Sequence, residues 1–242
     1  MEKKCTLERE VEISGIGIHS GKKVNLHLIP SDSGHIVFRR TDLGNLEIPL
    51  DWRKIEAKNS SCLVFSEGRI QTVEHLLAVL YILGIDSLMI ALDGSEIPIL
   101  DGSALPFVKY ILEAGRKVLG QRKKLIVIKK RKIIKEEEAY VAFRPHPELK
   151  ITYYIQFDHP VINSQELSLV LDEQTFKKEI APARTFGFLR DVPELRARGL
   201  ALGGSLKNAI VLDEKGVING PLHFSDEFVR HKMLDFIGDL AL

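Results

Sequence analysis

Two stretches of this chain carry residue types that do chemistry together. The first is Thr72-Val73-Glu74-His75-Leu76-Leu77-Ala78-Val79-Leu80, where a carboxylate and an imidazole stand side by side at the head of an apolar run. Neighbours in a first helical turn lie about 100° apart around the axis. That spacing lets His75 bind a metal ion while Glu74 hydrogen-bonds the water on it. The competing reading is a favourable charge at a helix N-terminus beside an ordinary histidine. The second stretch is residues 227–239, where His231, Asp235 and Asp239 recur every four residues and so share one helical face. A surface His-Asp pair is the alternative there. Met233, Leu234, Phe236, Ile237 and Leu240 weaken it, because they predict a largely buried helix in which Asp235 and Asp239 need partners. Pooled, His75, His231 and Asp235 make a nitrogen and oxygen donor set with no thiolate and a coordination position left for water, the logic of a catalytic zinc site. Zinc brings the pKa of bound water towards about 7, and Glu74 then serves as general base. Such donors also accept other divalent ions, Fe2+ among them.

The elements that must position these residues are legible in outline. Val73, Leu76, Leu77, Leu80 and Leu83 form one apolar stripe that predicts a helix, with Gly84 as its stop. Residues 9–18 and 23–29 alternate around Gly15-Ile16-Gly17-Ile18-His19-Ser20-Gly21, which predicts two strands meeting at a turn, with His19 on the turn. Segments 35–40, 46–49, 61–65 and 87–92 read as further strands. Glu96-Ile97-Pro98-Ile99-Leu100-Asp101-Gly102-Ser103 leads into a helix capped by Ser103 and ending at Gly120. Residues 121–135 read as a basic linker entering a strand, 139–143 and 150–157 as strands, and 173–180 as a short helix. Strands followed by helices in each half predict an α+β fold of two layered units and not a doubly wound sheet. The boundary falls between residues 121 and 122.

Composition narrows the function classes. With 242 residues, 45% hydrophobic and 28% charged, the chain can bury a core as one large or two small domains. Lys plus Arg (34) balance Asp plus Glu (33), so no overall field steers it to nucleic acid. The N-terminus lacks the apolar core of a signal peptide and no apolar run reaches the length of a membrane span. A cytoplasmic monomer is expected. Cys5 and Cys62 form no Cys-x-x-Cys motif and are expected to be free thiols.

With those residues assembled, the chain resembles the UDP-3-O-acyl-N-acetylglucosamine deacetylases, zinc amidases of lipid A biosynthesis in Gram-negative bacteria. The resemblance rests on Gly15–Lys23, Phe38-Arg39-Arg40-Thr41-Asp42-Leu43, Thr72-Val73-Glu74-His75 and Glu96–Ala104. It continues through Phe157-Asp158-His159-Pro160, Ala183-Arg184-Thr185-Phe186-Gly187-Phe188, Gly203-Gly204-Ser205 and Phe228–Asp235. It implies two similar α+β domains with the site between them, zinc on His75, His231 and Asp235, and Glu74 activating water against the acetamide carbonyl. Thr185 then stabilises the oxyanion, Lys232 faces substrate phosphate, and Phe186 and Phe157 pack on the sugar or uridine. An insert in the second domain forms an acyl passage, lined here by Leu189, Val192, Ala201, Leu206, Ala209 and Val211, with Ile18 nearby. The family pattern continues to a Gly-His-x-Leu-Asn motif whose histidine pairs with the aspartate equivalent to Asp239. The sequence stops at Leu242 without it, so the expectation is a truncated second domain and an Asp239 lacking that partner. Two alternatives stand beside deacetylation: an amidase acting on another N-acetylated sugar, and a non-catalytic substrate-binding relative.

Overall fold

The structure, a computed structural model, describes residues 2–57, 60–137 and 139–242. After the short β1 (Lys3–Leu7), the alternating stretches form the expected hairpin of β2 (Val11–Ile16) and β3 (Lys23–Pro30), with Val11 opposite Leu28 and Ile16 opposite Lys23. Period-2 alternation buries Val11, Ile13, Val24, Leu26 and Leu28 and leaves Glu12, Ser14 and Lys23 to solvent. A second antiparallel pair, β4 (Ile36–Arg40) and β5 (Leu46–Pro49), follows. Three short strands, β6 (Ile55–Ala57), β7 (Ser61–Phe65) and β8 (Gly68–Ile70), make a separate sheet that leads into α1 (Glu74–Ile82). The chain then returns as β9 (Leu88–Leu92) to the middle of the main sheet, antiparallel to β3 and parallel to β4, in the order β2-β3-β9-β4-β5.

The next helix differs from expectation. α2 spans Leu105–Ala114 and stops at Gly115, whose positive φ (78°), open to glycine, turns the chain away. Ser103 is not its cap residue. The Ser103 hydroxyl accepts from the Leu105 N–H and donates to the Asp101 carboxylate, a local turn that precedes the helix. Arg116–Arg122 is a strand, β10, paired antiparallel with β1, so Gly120 and the start of the expected linker lie within a sheet. Only Leu119 of that strand is buried; the segment has no helical apolar stripe with which to extend α2.

Two hairpins follow, β11 (Lys132–Glu136) with β12 (Ala139–Phe143) and β13 (Lys150–Gln156) with β14 (Ser164–Val170). α3 (Glu173–Thr175) runs on as a wider π turn through Phe176–Ile180, and the Asp172 carboxylate caps it by accepting from the Thr175 N–H at 2.6 Å. β15 (Phe186–Phe188) and β16 (Ile210–Leu212) pair in parallel across an excursion that contains α4 (Val192–Ala197). The last helix is α5 (Glu227–Asp239). Mixed sheets and few helices place the chain in the α+β class.

The main core joins Leu26, Leu28, Phe38, Ile90 and Leu92 of the sheet to Leu76, Leu77, Val79 and Leu80 of α1 and to Met233, Leu234 and Ile237 of α5. α1 begins at Glu74, one residue after the apolar stripe opens at Val73, and is buried on every side through Leu80 instead of along one stripe. The reason is α5, which covers the side that would otherwise meet water. Their contact is close because Gly238 has no side chain: a Cβ there would overlap the main chain of Glu74. Alanine would favour the helix by about 1 kcal/mol, but overpacking costs about 1–3 kcal/mol. Gly238→Ala is therefore expected to lower the urea unfolding midpoint. An unchanged or raised midpoint would show that the two helices have room to part.

Candidate active site

The crossing at Gly238 brings together residues that the sequence separates widely. Glu74 and His75 occupy the first turn of α1, and His231 and Asp235 lie one turn apart on α5. The Nε2 atoms of His75 and His231 each stand 3.5 Å from Asp235 Oδ1. The two imidazoles meet edge to face with centroids 5.0 Å apart, and the three ligating atoms lie within 4.8 Å of one another. Asp235 Oδ2 accepts from Lys232 Nζ at 3.1 Å. Asp235 Oδ1 is buried and has no hydrogen-bond partner among the described residues. An unpartnered carboxylate oxygen facing two imidazole nitrogens is costly unless a cation fills the space between them. The donor set fits a divalent ion.

The surroundings prepare these groups for that role. His231 Nδ1 donates to the Ala183 carbonyl at 3.1 Å, which leaves the Nε2 lone pair facing the centre. Burial holds the His231 pKa down to about 4, so the ring is neutral. For His75, burial opposes protonation but the adjoining Asp235 carboxylate more than offsets it, and the pKa stands above the ordinary histidine value. Burial likewise opposes ionisation of Asp235, yet His231, Lys232 and His75 hold its carboxyl well below the usual range. Glu74, with only 7% of its surface exposed, has its pKa pushed up to about 7 by burial.

Ser61 links the remaining carboxylates. Its N–H donates to Glu74 Oε2 at 3.1 Å and its hydroxyl to Asp239 Oδ1 at 2.5 Å. Asp239 thus has a partner in Ser61. Burial raises its pKa. In the sequence Ser61 was only the start of a strand; nothing in Ser60-Ser61-Cys62 points to two carboxylates from distant helices. Cys62 beside it is buried, which pushes its thiol up to about 11 and leaves it protonated and unreactive.

The segment from Ala183 to Phe188 borders the same site. Thr185 is half-buried; its N–H donates to the Gly102 carbonyl and its own carbonyl accepts from Ile210. Phe186 packs against His231 at 6.3 Å, against Phe157 at 5.7 Å and against Phe228 at 5.0 Å, with Lys232 Nζ 5.5 Å from its ring centroid. Leu189, Val192, Ala201, Leu206, Ala209 and Val211 all lie on the excursion from β15 through β16, and Ile18 belongs to the loop that meets it. Among the described residues, none of these seven belongs to either hydrophobic core, and Leu189 and Leu206 are about half exposed.

Arg184 and Glu227 hold this segment in place and escaped the sequence reading of roles. Fully buried Glu227 accepts from the Arg184 N–H and Nε–H and from the His223 N–H, and Arg184 also donates to the Pro221 carbonyl. Burial opposes ionisation of Glu227, but these donors outweigh it and lower its pKa below 4.5. A depressed carboxylate pKa contributes stability that is present in full above the unfolded value and lost as pH falls towards the folded one. The stability gap between the parent and Glu227→Gln, measured by urea unfolding, is therefore expected to be largest at neutral pH and to shrink below about pH 4.5. A gap that widens in acid would overturn this account.

Comparisons with known proteins place this chain in a family. The family model described as UDP-3-O-acyl N-acetylglycosamine deacetylase (LpxC) matches residues 4–242. A UDP-3-O-acyl-N-acetylglucosamine deacetylase of Thermodesulfovibrio yellowstonii is 46% identical over 239 residues, covering 98% of this chain and 82% of the relative. The protein of the same name from Nautilia profundicola is 47% identical over 243 residues, covering 99% and 82%. That of Leptospira biflexa is 42% identical over 241 residues, covering 98% and 80%. With two histidines, an unpartnered aspartate oxygen and a buried glutamate in one place, and with similarity running along nearly all its length, the chain belongs to the UDP-3-O-acyl-N-acetylglycosamine deacetylase family.

Proposed function

We propose that this chain hydrolyses the acetamide of UDP-3-O-acyl-N-acetylglucosamine in lipid A biosynthesis, releasing acetate and a free amine, with zinc held by His75, His231 and Asp235. One observation carries the reading: Asp235 Oδ1 lies buried and unpartnered between two imidazole nitrogens, with the Glu74 carboxyl next along the chain from one of them. Zinc supplies Lewis acidity at the amide carbonyl and lowers the pKa of water towards about 7. The same donors accept Fe2+.

The chain's own residues divide the remaining work. Glu74 has its pKa near 7, where a carboxylate takes a proton from attacking water and returns it to the departing amine with little mismatch at neutral pH. Its orientation comes from the Ser61 N–H, and Asp239 sits at the other end of that serine. Thr185, fixed at both backbone groups, offers its hydroxyl to the developing oxyanion, a contribution of about 3 kcal/mol. Lys232 holds Asp235 and presents its charge to substrate phosphate, while Phe186 and Phe157 pack on the sugar or uridine. The half-exposed apolar side chains of the β15–β16 excursion, with Ile18, receive the acyl chain. We further assign residues 1–121 and 122–242 to two domains and the working form to a cytoplasmic monomer. No described helix is long and apolar enough to cross a membrane.

Purified without added metal, the parent is expected to hold about one zinc per chain. His75→Ala and Asp235→Ala should lose it. Glu74→Gln should keep the metal and lose acetate release by about 10²–10⁴-fold. Folded ligand variants that retain zinc would overturn the ligand set, and near-parental turnover in Glu74→Gln would overturn the base. Thr185→Val, also metal-loaded, is expected to lower kcat by about 100-fold; a change confined to KM would assign Thr185 to binding instead.

A further inference from the structure

Thr72 stands immediately before the turn that leads into α1, at φ 59°. A β-branched residue in this left-handed region is strained by about 1–3 kcal/mol and stays there only when its surroundings compel it. Upstream, Gln71 is bound to a neighbouring segment: its N–H donates to the Ser95 carbonyl at 2.9 Å and its carbonyl accepts from the Ile97 N–H at 3.0 Å. The left-handed turn at Thr72 redirects the chain from that bridge into the helix that starts with Glu74 and His75.

Glu96 is the group that holds the turn. It is 1% exposed, and its Oε1 accepts from the Thr72 hydroxyl at 3.0 Å and from the His19 N–H at 2.8 Å. Its Oε2 accepts from the Ser20 N–H at 2.8 Å. All three donors are neutral, so these bonds set position instead of forming an ion pair. Two of them come from the loop at 17–21, where a Cβ at Gly17 would collide with the Glu96 carboxylate. That loop in turn accepts bonds from the far side of the site: the Ile18 carbonyl from Gly203 N–H at 3.0 Å and the His19 carbonyl from Leu202 N–H at 3.1 Å. One buried carboxylate therefore ties the residue that aims α1 to the loop that meets the excursion at 201–203.

We propose that Glu96 is a positioning residue for deacetylation: through Thr72 it sets where Glu74 and His75 enter the site, and through His19 and Ser20 it holds the 17–21 loop against the proposed acyl passage. The inference rests on the reading of the site given above. Neither partner touches the proposed metal, so the effect passes entirely through backbone placement. Glutamine keeps the shape of Glu96 but offers only one accepting oxygen, so its amide N–H is turned either against the Thr72 hydroxyl and the His19 N–H or against the Ser20 N–H. Valine at position 72 keeps the branch and removes the hydroxyl. Glycine at 72 adopts the left-handed turn without any clamp.

The test is a mutant cycle on the metal-loaded chain, reading kcat, KM for a long-acyl and a short-acyl substrate, zinc retention by chelator competition, and thermal midpoint. Acetate release by the parent tests the functional reading itself; zinc retention tests the positioning role whether or not turnover is seen. Thr72→Val is expected to lower kcat about 10- to 100-fold and weaken zinc retention at little change in KM. Glu96→Gln should do the same and also raise KM for the long-acyl substrate more than for the short one. The double variant should have the kcat of Glu96→Gln, because both act through one contact, and Thr72→Gly in the Glu96→Gln background should recover kcat. Parental kcat and zinc retention in Thr72→Val would overturn the proposal. So would multiplying losses in the double variant, or a lowered thermal midpoint with no rescue by glycine.

Discussion

The site depends on how closely two helices can approach. α1 supplies Glu74 and His75, α5 supplies His231 and Asp235, and the point of contact is Gly238 against the backbone of Glu74. Side chains at a helix contact normally keep the axes about 8–10 Å apart. With none at Gly238, the first turn of α1 lies against the last turns of α5, and imidazoles from both helices reach one carboxylate oxygen. Burial follows from the same contact. It is burial that keeps His231 neutral and raises Glu74, so packing and acid-base chemistry here have one cause.

Among the described residues, the carboxylates in and around the site fall into two kinds. Glu96 and Glu227 have both oxygens engaged by donors from neighbouring segments, and each fixes a stretch of backbone that borders the site. Asp235 has one oxygen engaged and one bare, and the Glu74 carboxylate is met by backbone N–H groups alone, that of Ser61 among them. A fully satisfied buried carboxylate holds structure, whereas an incompletely satisfied one retains free energy for a ligand or a proton. That difference separates scaffold from chemistry without reference to sequence motifs.

Much of this was legible in the chain itself, and what was not has a physical explanation. Spacing placed His231, Asp235 and Asp239 on one face, and the apolar character of 227–239 correctly demanded partners for the aspartates. The hairpin around Gly15–Gly21 and the strands at 35–40, 46–49 and 87–92 follow from alternation, a local property. Three features were missed because they are long-range. Ser61 is joined to Asp239 by a fold that folds back across most of the chain, β10 pairs with β1 at the opposite end of the first half, and the burial of α1 on all sides arises from α5. α2 ends early for a local reason: Gly115, not Gly120, has the positive φ that stops the helix, and both glycines look alike in sequence. Thr72 adjoins a run that is helical in pattern, although its own backbone is the turn that sets the helix direction.

The pairing of β15 with β16 has an evolutionary consequence. The two strands are three residues each and parallel, and the excursion between them contributes nothing to either hydrophobic core among the described residues. Its ends are pinned, by Thr185 to Gly102 and Ile210 to Thr185, and past its midpoint Leu202 and Gly203 are tied to the 17–21 loop, whereas 189–200 has no such tie to that loop. The entropy of closing such a loop grows only with the logarithm of its length. Insertions, deletions and changes of side-chain size between 189 and 200 can therefore accumulate with little effect on α1 or α5. The fold separates a segment open to variation from a pair of helices that tolerate almost none, so descendants of one catalytic centre can diverge in what they accept while keeping what they do.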